Sequence, residues 1–167
     1  MTQGDPETWC FRKSAESVVI LIYNQDEGMN SKLNPYYLDG LVDGEGCFSI
    51  TFNRHKNDRI EVRLIFEIEL REDDKEILER VKNTLECGNI YHLDYERYRK
   101  WKPHFKYKVS NLKDIVQKII PFFNKYPLQA KKRKSFEVFS KVADLMLLKK
   151  HLTSEGILET QNLKGAI

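Results

Sequence analysis

The chain has 167 residues, 41% hydrophobic and 32% charged, which is enough to close one hydrophobic core and too polar for a membrane-spanning or compositionally disordered protein. Its 28 Lys and Arg against 25 Asp and Glu leave a formal net charge of +3, too mild to mark a nucleic-acid binder in bulk, so a function that depends on charge must use it locally. Three cysteines without a C-x-x-C pair argue against a disulfide framework and for a reducing compartment, and four histidines at no ligand-like spacing argue against zinc.

Residues 1–33 have weak periodicity and read as an N-terminal extension and linker. Val18–Tyr23 is a strand-like run too short to cross a bilayer, and Asn24 to Lys32 form a polar connection. The acidic flank Gly4-Asp5-Pro6-Glu7 is unlike a signal or transit peptide, so no targeting segment is expected. One domain is expected over residues 34–167. Asn34 as N-cap with Pro35 at the first helical position predicts a helix through Glu45, ending where Gly46 can turn left-handed. Strict alternation then predicts a hairpin. Phe48, Ile50 and Phe52 point one way in its first strand, and Ile60, Val62, Leu64, Phe66 and Ile68 do so in its second, across a turn at His55-Lys56-Asn57-Asp58. Asp73-Asp74-Lys75-Glu76 resembles a capping box opening a helix with Ile77, Leu78, Val81 and Leu85 on one stripe, closed by Gly88. A second strand pair follows at about 89–98 and 104–109. A helix from Asn111 to Pro121 comes next, then a long helix at about 129–149 with Phe136, Phe139, Ala143 and Met146 on one face. Thr153 or Ser154 would cap a last short helix. The order α-β-β-α-β-β-α-α without an internal repeat predicts an α+β fold: an antiparallel sheet, helices on one face and the other face open.

The first helix carries the most information. Leu38, Leu41 and Val42 share one side, while Gly40 and Gly44 leave the opposite side bare, although each interior glycine costs about 1 kcal/mol relative to Ala. Burial between two bodies explains that pattern; tolerated glycines near a helix end are the plainer alternative. Glu45 lies at a helix C-terminus, where the dipole disfavours a carboxylate unless a cation offsets it. It is therefore a candidate ligand for a hard metal, or else an exposed Glu beside a turn. On the polar face of the hairpin, Ser49, Thr51, Asn53 and His55 stand against Glu61, Arg63, Glu67 and Glu69, a set that fits either base-edge contacts in a major groove or ordinary solvation. Two basic clusters suit phosphate contacts or solubility: Arg97, Arg99, Lys100, Lys102, Lys106 and Lys108 with interleaved aromatics, and Lys125, Lys131, Lys132, Arg133 and Lys134.

The stretch Leu38-Asp39-Gly40-Leu41-Val42-Asp43-Gly44-Glu45-Gly46-Cys47-Phe48 resembles the LAGLIDADG motif of homing endonucleases. Lys125-Tyr126-Pro127-Leu128 followed by Lys131-Lys132, and His151 to Gly156, resemble two further landmarks of that family. The resemblance spans about residues 34–160 and implies the αββαββα homing-endonuclease-like fold with an open DNA-binding face. It also implies a single-motif, homodimeric, site-specific double-strand DNA endonuclease that promotes intron or intein mobility through a long pseudo-palindromic target. By resemblance Glu45 is the catalytic metal ligand, aided by the Gly44 backbone carbonyl, and Lys132 lies near the scissile phosphate with Lys131 beside it. Tyr37, Gly40 and Gly44 form the dimer interface. Mg²⁺ is the implied cofactor, with Mn²⁺ as a substitute and Ca²⁺ binding without supporting cleavage. Double-stranded DNA is the implied partner, with no membrane and no small-molecule substrate, in the cytoplasm, nucleoid or an organelle matrix. Two departures stand out: Asp39 where the motif has Ala, and Leu70 at or near a position where some members carry a water-orienting Gln. An RNA-splicing maturase or a non-cleaving DNA-binding regulator on the same fold is the alternative function, and an α+β interaction domain is the reading that discards the resemblance. With room for one motif helix, the length predicts half of an enzyme.

Overall fold

The structure is a computed structural model that describes residues 31–94 and 103–165. The strand-like run at Val18–Tyr23 and the basic positions Arg97, Arg99, Lys100 and Lys102 lie outside the described residues. Helix α1 spans Pro35–Glu45 and starts as its sequence dictates: the Asn34 side chain accepts from the Tyr36 N–H at 2.9 Å and Pro35 occupies the first turn. Its end differs from the expectation of a left-handed glycine. Gly46 is extended (φ −72°, ψ 157°) and is the first residue of strand β1. Close packing explains the glycine instead, because a Cβ there would stand 2.6 Å from Val42 Cγ1 and 2.8 Å from the Val42 carbonyl.

Strand β1 (Gly46–Arg54) pairs antiparallel with β2 (Ile60–Arg71), placing Ser49 opposite Ile65, Thr51 opposite Arg63 and Asn53 opposite Glu61. The turn closes with the His55 N–H on the Arg59 carbonyl at 2.9 Å and Asp58 left-handed at φ 61°. A 3₁₀ turn at Glu72–Asp74 leads into α2 (Lys75–Leu85), and no side-chain cap bond forms, so the capping-box expectation fails there. Helix α2 also stops earlier than Gly88. Glu86 takes the left-handed conformation itself (φ 56°), while Gly88 (φ 74°) turns the chain under Tyr107 into β3.

Strands β3 (Asn89–Leu93) and β4 (His104–Val109) complete a four-stranded antiparallel sheet in the order β1-β2-β4-β3. Past Asn111, whose side chain caps the next turn, a helical segment runs through α3 (Leu112–Asp114), a π turn (Ile115–Ile119) and α4 (Ile120–Lys125). The sequence predicts a stop at Pro121, yet the helix continues through it. A proline ring collides with the carbonyl four residues back in an α-helix; here the Ile120 N–H reaches back five residues to Ile115, and the widened turn accommodates the ring. Helix α5 (Lys132–Leu147), a 3₁₀ turn (Lys150–Leu152) and α6 (Ser154–Gly165) finish the fold. Thr153 caps α6, its Oγ1 accepting from the Gly156 N–H at 3.1 Å.

The helices cover one face of the sheet. Phe48 stacks on Phe66 at 4.9 Å and meets Phe123, Phe136 and Phe139 at 5.3–5.5 Å, so a single β1 side chain joins β2, α4 and α5. Replacing a ring at such a junction with Ala costs about 3–5 kcal/mol. Tyr107 is fully buried and donates from its hydroxyl to the Cys87 carbonyl at 3.0 Å; burial pushes that hydroxyl's pKa far up and keeps it a donor. The α+β architecture, with helices on one face of an antiparallel sheet, agrees with the sequence reading. The α1 positions Leu38 and Val42 belong to the core.

Candidate functional site

Helix α1 serves three neighbourhoods at once. Leu38 and Val42 are buried in the core, Tyr36, Tyr37, Gly40 and Gly44 are exposed, and the C-terminal turn delivers Glu45 to the surface beside β1. A Cβ built on Gly40 or Gly44 would meet nothing within 4 Å, so these glycines are not required by packing inside the chain.

The C-terminal carbonyls of α1 point their partial negative charge at a cation. Lys132, in the first turn of α5, sets its Nζ 2.6 Å from the Gly44 carbonyl and 3.1 Å from the Asp43 carbonyl. Residues 44 and 132 are thus held together across 88 positions of chain. Asp43 makes the same connection through its side chain, Oδ2 accepting from the Gln129 N–H at 2.8 Å and the Ala130 N–H at 3.0 Å. Its Oδ1 is buried without a hydrogen-bond partner. Asp43 therefore ties the end of α1 to the loop that launches Lys132. Lys131, immediately before α5, is exposed.

Strand parity sorts the remaining predicted positions. Ser49, Thr51 and Asn53 of β1, Glu61, Arg63, Glu67 and Glu69 of β2, and Lys106 and Lys108 of β4 all occupy the sheet face opposite the aromatic core. His55 lies at the turn beside them, its Nε2 3.0 Å from Glu61. Glu61 also accepts from Arg63 at 2.9 Å, and these two hydrogen bonds hold its carboxyl below the usual range. Further along, Lys106 approaches Glu69 at 3.1 Å and Glu67 at 3.6 Å, and His104 approaches Glu69 at 3.0 Å. The face is a lattice of paired donors and acceptors that starts next to Glu45.

A family model described as LAGLIDADG endonuclease matches residues 38–143, from within the motif helix to within α5. The chain belongs to the LAGLIDADG endonuclease family. It is 30% identical over 138 residues to the probable intron-encoded endonuclease 3 of Neurospora crassa, a match covering 81% of this chain and 25% of that protein. Among solved structures, I-SmaMI bound to an uncleaved DNA target in the presence of calcium ions superposes with a TM-score of 0.74 at 32% identity, over 80% of this chain and 44% of that one. The I-LtrWI LAGLIDADG homing endonuclease bound to target DNA gives 0.72 at 34% identity, over 82% and 45%. The chain spans a quarter of the curated relative and under half of each solved one.

A LAGLIDADG endonuclease implies a divalent metal, and the donor set here suits one. The Glu45 carboxylate and the Gly44 and Asp43 carbonyls are hard oxygen donors at the negative end of a helix, and the Lys132 ammonium already rests on two of them. Among the described residues no group of three His, Cys, Asp or Glu side chains gathers. The two departures from the motif also find their places. Asp39 is buried, 7% exposed, with Oδ1 unpartnered, so it faces the protein's own interior and not a polar partner. Desolvation, and secondarily the Asp43 charge, raise its pKa. Leu70 packs against the core, and by parity its neighbours Glu69 and Arg71 take the open face. Sequence reasoning missed Asp43 and His104. Asp43 could have been found by extending to it the argument applied to Glu45, that an acid at a helix C-terminus needs a compensating partner. Among the described residues no helix is long and apolar enough to cross a membrane.

Proposed function

We propose that this chain is a half-unit of a site-specific, metal-dependent double-strand DNA endonuclease of the homing type. Its α1 pairs with α1 of a second copy across Tyr37, Gly40 and Gly44, and its open sheet face reads a half-site of a pseudo-palindromic target. The observation that carries the reading is the clasp of Lys132 Nζ on the Gly44 carbonyl at 2.6 Å, which brings the motif helix and the basic segment to one point beside Glu45. A Mg²⁺ ion held by Glu45 and the Gly44 carbonyl would supply charge stabilisation for the attacking and leaving oxygens of a phosphodiester. The chain's own groups do the rest. Glu45 brings an acceptor-only carboxylate, and Lys132 brings a fixed positive charge for the phosphate in its transition state. Ser49, Thr51, Asn53, Arg63 and Lys108 meet base edges and phosphates, with Lys131 on the backbone. Bare helix faces at Gly40 and Gly44 permit backbone-close pairing, which sets two Glu45 side chains near a twofold axis so that each strand meets one of them. Cutting an uninterrupted allele would promote copying of the intron or intein that encodes the protein.

The test is incubation with Mg²⁺ and a duplex spanning the uninterrupted junction of the gene's insertion. Staggered double-strand cleavage is expected. Glu45→Gln should slow it by about 10²–10³, a loss of the order seen when one transition-state contact is removed, while DNA binding persists. Cleavage undiminished in Glu45→Gln refutes the ligand assignment. A particle that stays monomeric on its target by light scattering refutes the pairing.

A further inference from the structure

The cluster at the centre of the open face has a feature that phosphate attraction does not explain. Lys106 and His104 are 24% and 23% exposed; Lys106 is held by Glu67 and Glu69 and His104 by Glu69, the two acids being 24% and 29% exposed. A surface built only for affinity would leave its cations free for phosphates. Here two carboxylates engage one ammonium and one imidazole, so neither cation stands clear of an acid. The register makes this systematic: Glu67 lies opposite Lys108 and Glu69 opposite Lys106, while His104 reaches Glu69 diagonally. Opposite charges facing each other across strands stabilise the pairing and fix each side chain's direction.

We propose that Glu67 and Glu69 determine specificity by restraint, holding Lys106 and His104 off the phosphates of unmatched DNA. The inference rests on the DNA-binding reading above. A non-specific duplex offers phosphates, and engaging one through Lys106 would break its carboxylate contacts and leave two mostly covered anions facing DNA. A matched base edge offers donors and acceptors together. A cytosine amino group, for example, can donate to a carboxylate while the lysine or histidine bonds a neighbouring acceptor. Only a matched sequence can replace the internal pairs one for one. Lys106 is thereby assigned to base readout, and the acids become a penalty on wrong sequences.

The experiment measures affinity for a random-sequence duplex between 50 and 200 mM salt. Glu67→Gln/Glu69→Gln keeps shape and removes charge. It is expected to bind that duplex more tightly and to steepen the log–log salt slope by about 1, so that the variant-to-wild-type affinity ratio is about 3.5-fold larger at 50 mM than at 200 mM. Preference for the junction duplex over the random one should fall. Lys106→Gln should leave the slope on random DNA unchanged, because its ammonium is already engaged, and this second variant stands even if the double variant folds poorly. An unchanged slope in the double variant, or a slope shallower by about 1 in Lys106→Gln, overturns the proposal. Wild-type affinity that ignores salt overturns the DNA-binding reading itself, which separates the two failures.

Discussion

Replacing Asp43 tests how the candidate site is assembled. Asp43→Ala removes two charge-assisted hydrogen bonds, at 2.8 Å and 3.0 Å, that tie the end of α1 to Gln129 and Ala130. Bonds to a charged acceptor are worth about 1.5–3 kcal/mol each, and because both donors lie at exposed positions that water can reach, the lower end applies. The expected loss is about 3 kcal/mol, or roughly 6–12 °C in melting temperature for a domain of this size. Asp43→Asn keeps one acceptor oxygen and relieves the charge that helps raise the Asp39 pKa, so about 1 kcal/mol should be lost.

The functional consequence is larger than the thermal one. Lys132 reaches the Asp43 and Gly44 carbonyls from a helix whose approach Asp43 fixes, and a displacement of about 1 Å at a reacting centre can cost about 100-fold in rate. The assay is single-turnover cleavage at saturating enzyme, run on Asp43→Ala, Lys132→Met and the double variant. A positioning role requires the double variant to be scarcely slower than Lys132→Met alone. Effects that multiply, or an Asp43→Ala protein with wild-type melting and wild-type cleavage, would refute the reasoning.

Gly46→Ala forces a Cβ to 2.6 Å from Val42 Cγ1 and should destabilise the fold by about 1–3 kcal/mol in denaturant titrations, although the backbone there is ordinary. Gly40→Arg should do the opposite to the isolated chain. The space is open and helix propensity improves by about 0.8 kcal/mol, so the melting temperature holds or rises while sedimentation shows weaker self-association. Asp39 gives a pH signature. Its folded pKa is raised, so its stabilising contribution is fully present below the ordinary carboxylate value and is lost as pH rises through the folded one; Asp39→Asn should therefore raise the melting temperature at neutral pH and change it little in strong acid.

Local patterns made much of this legible. Asn34 and Pro35 start α1, and the alternation from Phe48 to Ile68 fixes the hairpin and which side chains face the open side. The misses share a cause: each depends on how neighbouring turns pack, which residue type alone does not announce. Gly46 reads as a left-handed stop from its own conformational freedom, whereas packing on Val42, four residues back, selects it. Pro121 reads as a stop unless the π turn before it is known, and no residue pattern from Ile115 to Ile119 announces one. Glu86 shows that a non-glycine can take the left-handed position, with its side chain held by Lys32. Lys132 follows from the family resemblance; an acid at the end of α1 implies that Asp43 has a partner, and only the fold shows that the partner is the loop at residues 129 and 130.

The junction between α1 and β1 sets the scale on which the proposed half-unit would read DNA. Glu45 ends the helix and Gly46 begins the strand, so no linker residue lies between the chemistry and the recognition face. Parity then commits Ser49, Thr51 and Asn53 to the open face together, because a strand's side chains alternate and a one-residue slip would exchange the whole set with Phe48, Ile50 and Phe52. At about 3.3 Å per strand residue, Asn53 lies about 26 Å along the chain from Glu45. In the proposed function, with DNA advancing about 3.4 Å per base on each strand, the outermost β1 contact would fall about 7–8 base pairs from the cut. The glycine at 46 lets β1 leave the helix at contact distance from Val42, and in that proposal the departure sets where the later side chains of the strand would meet the duplex.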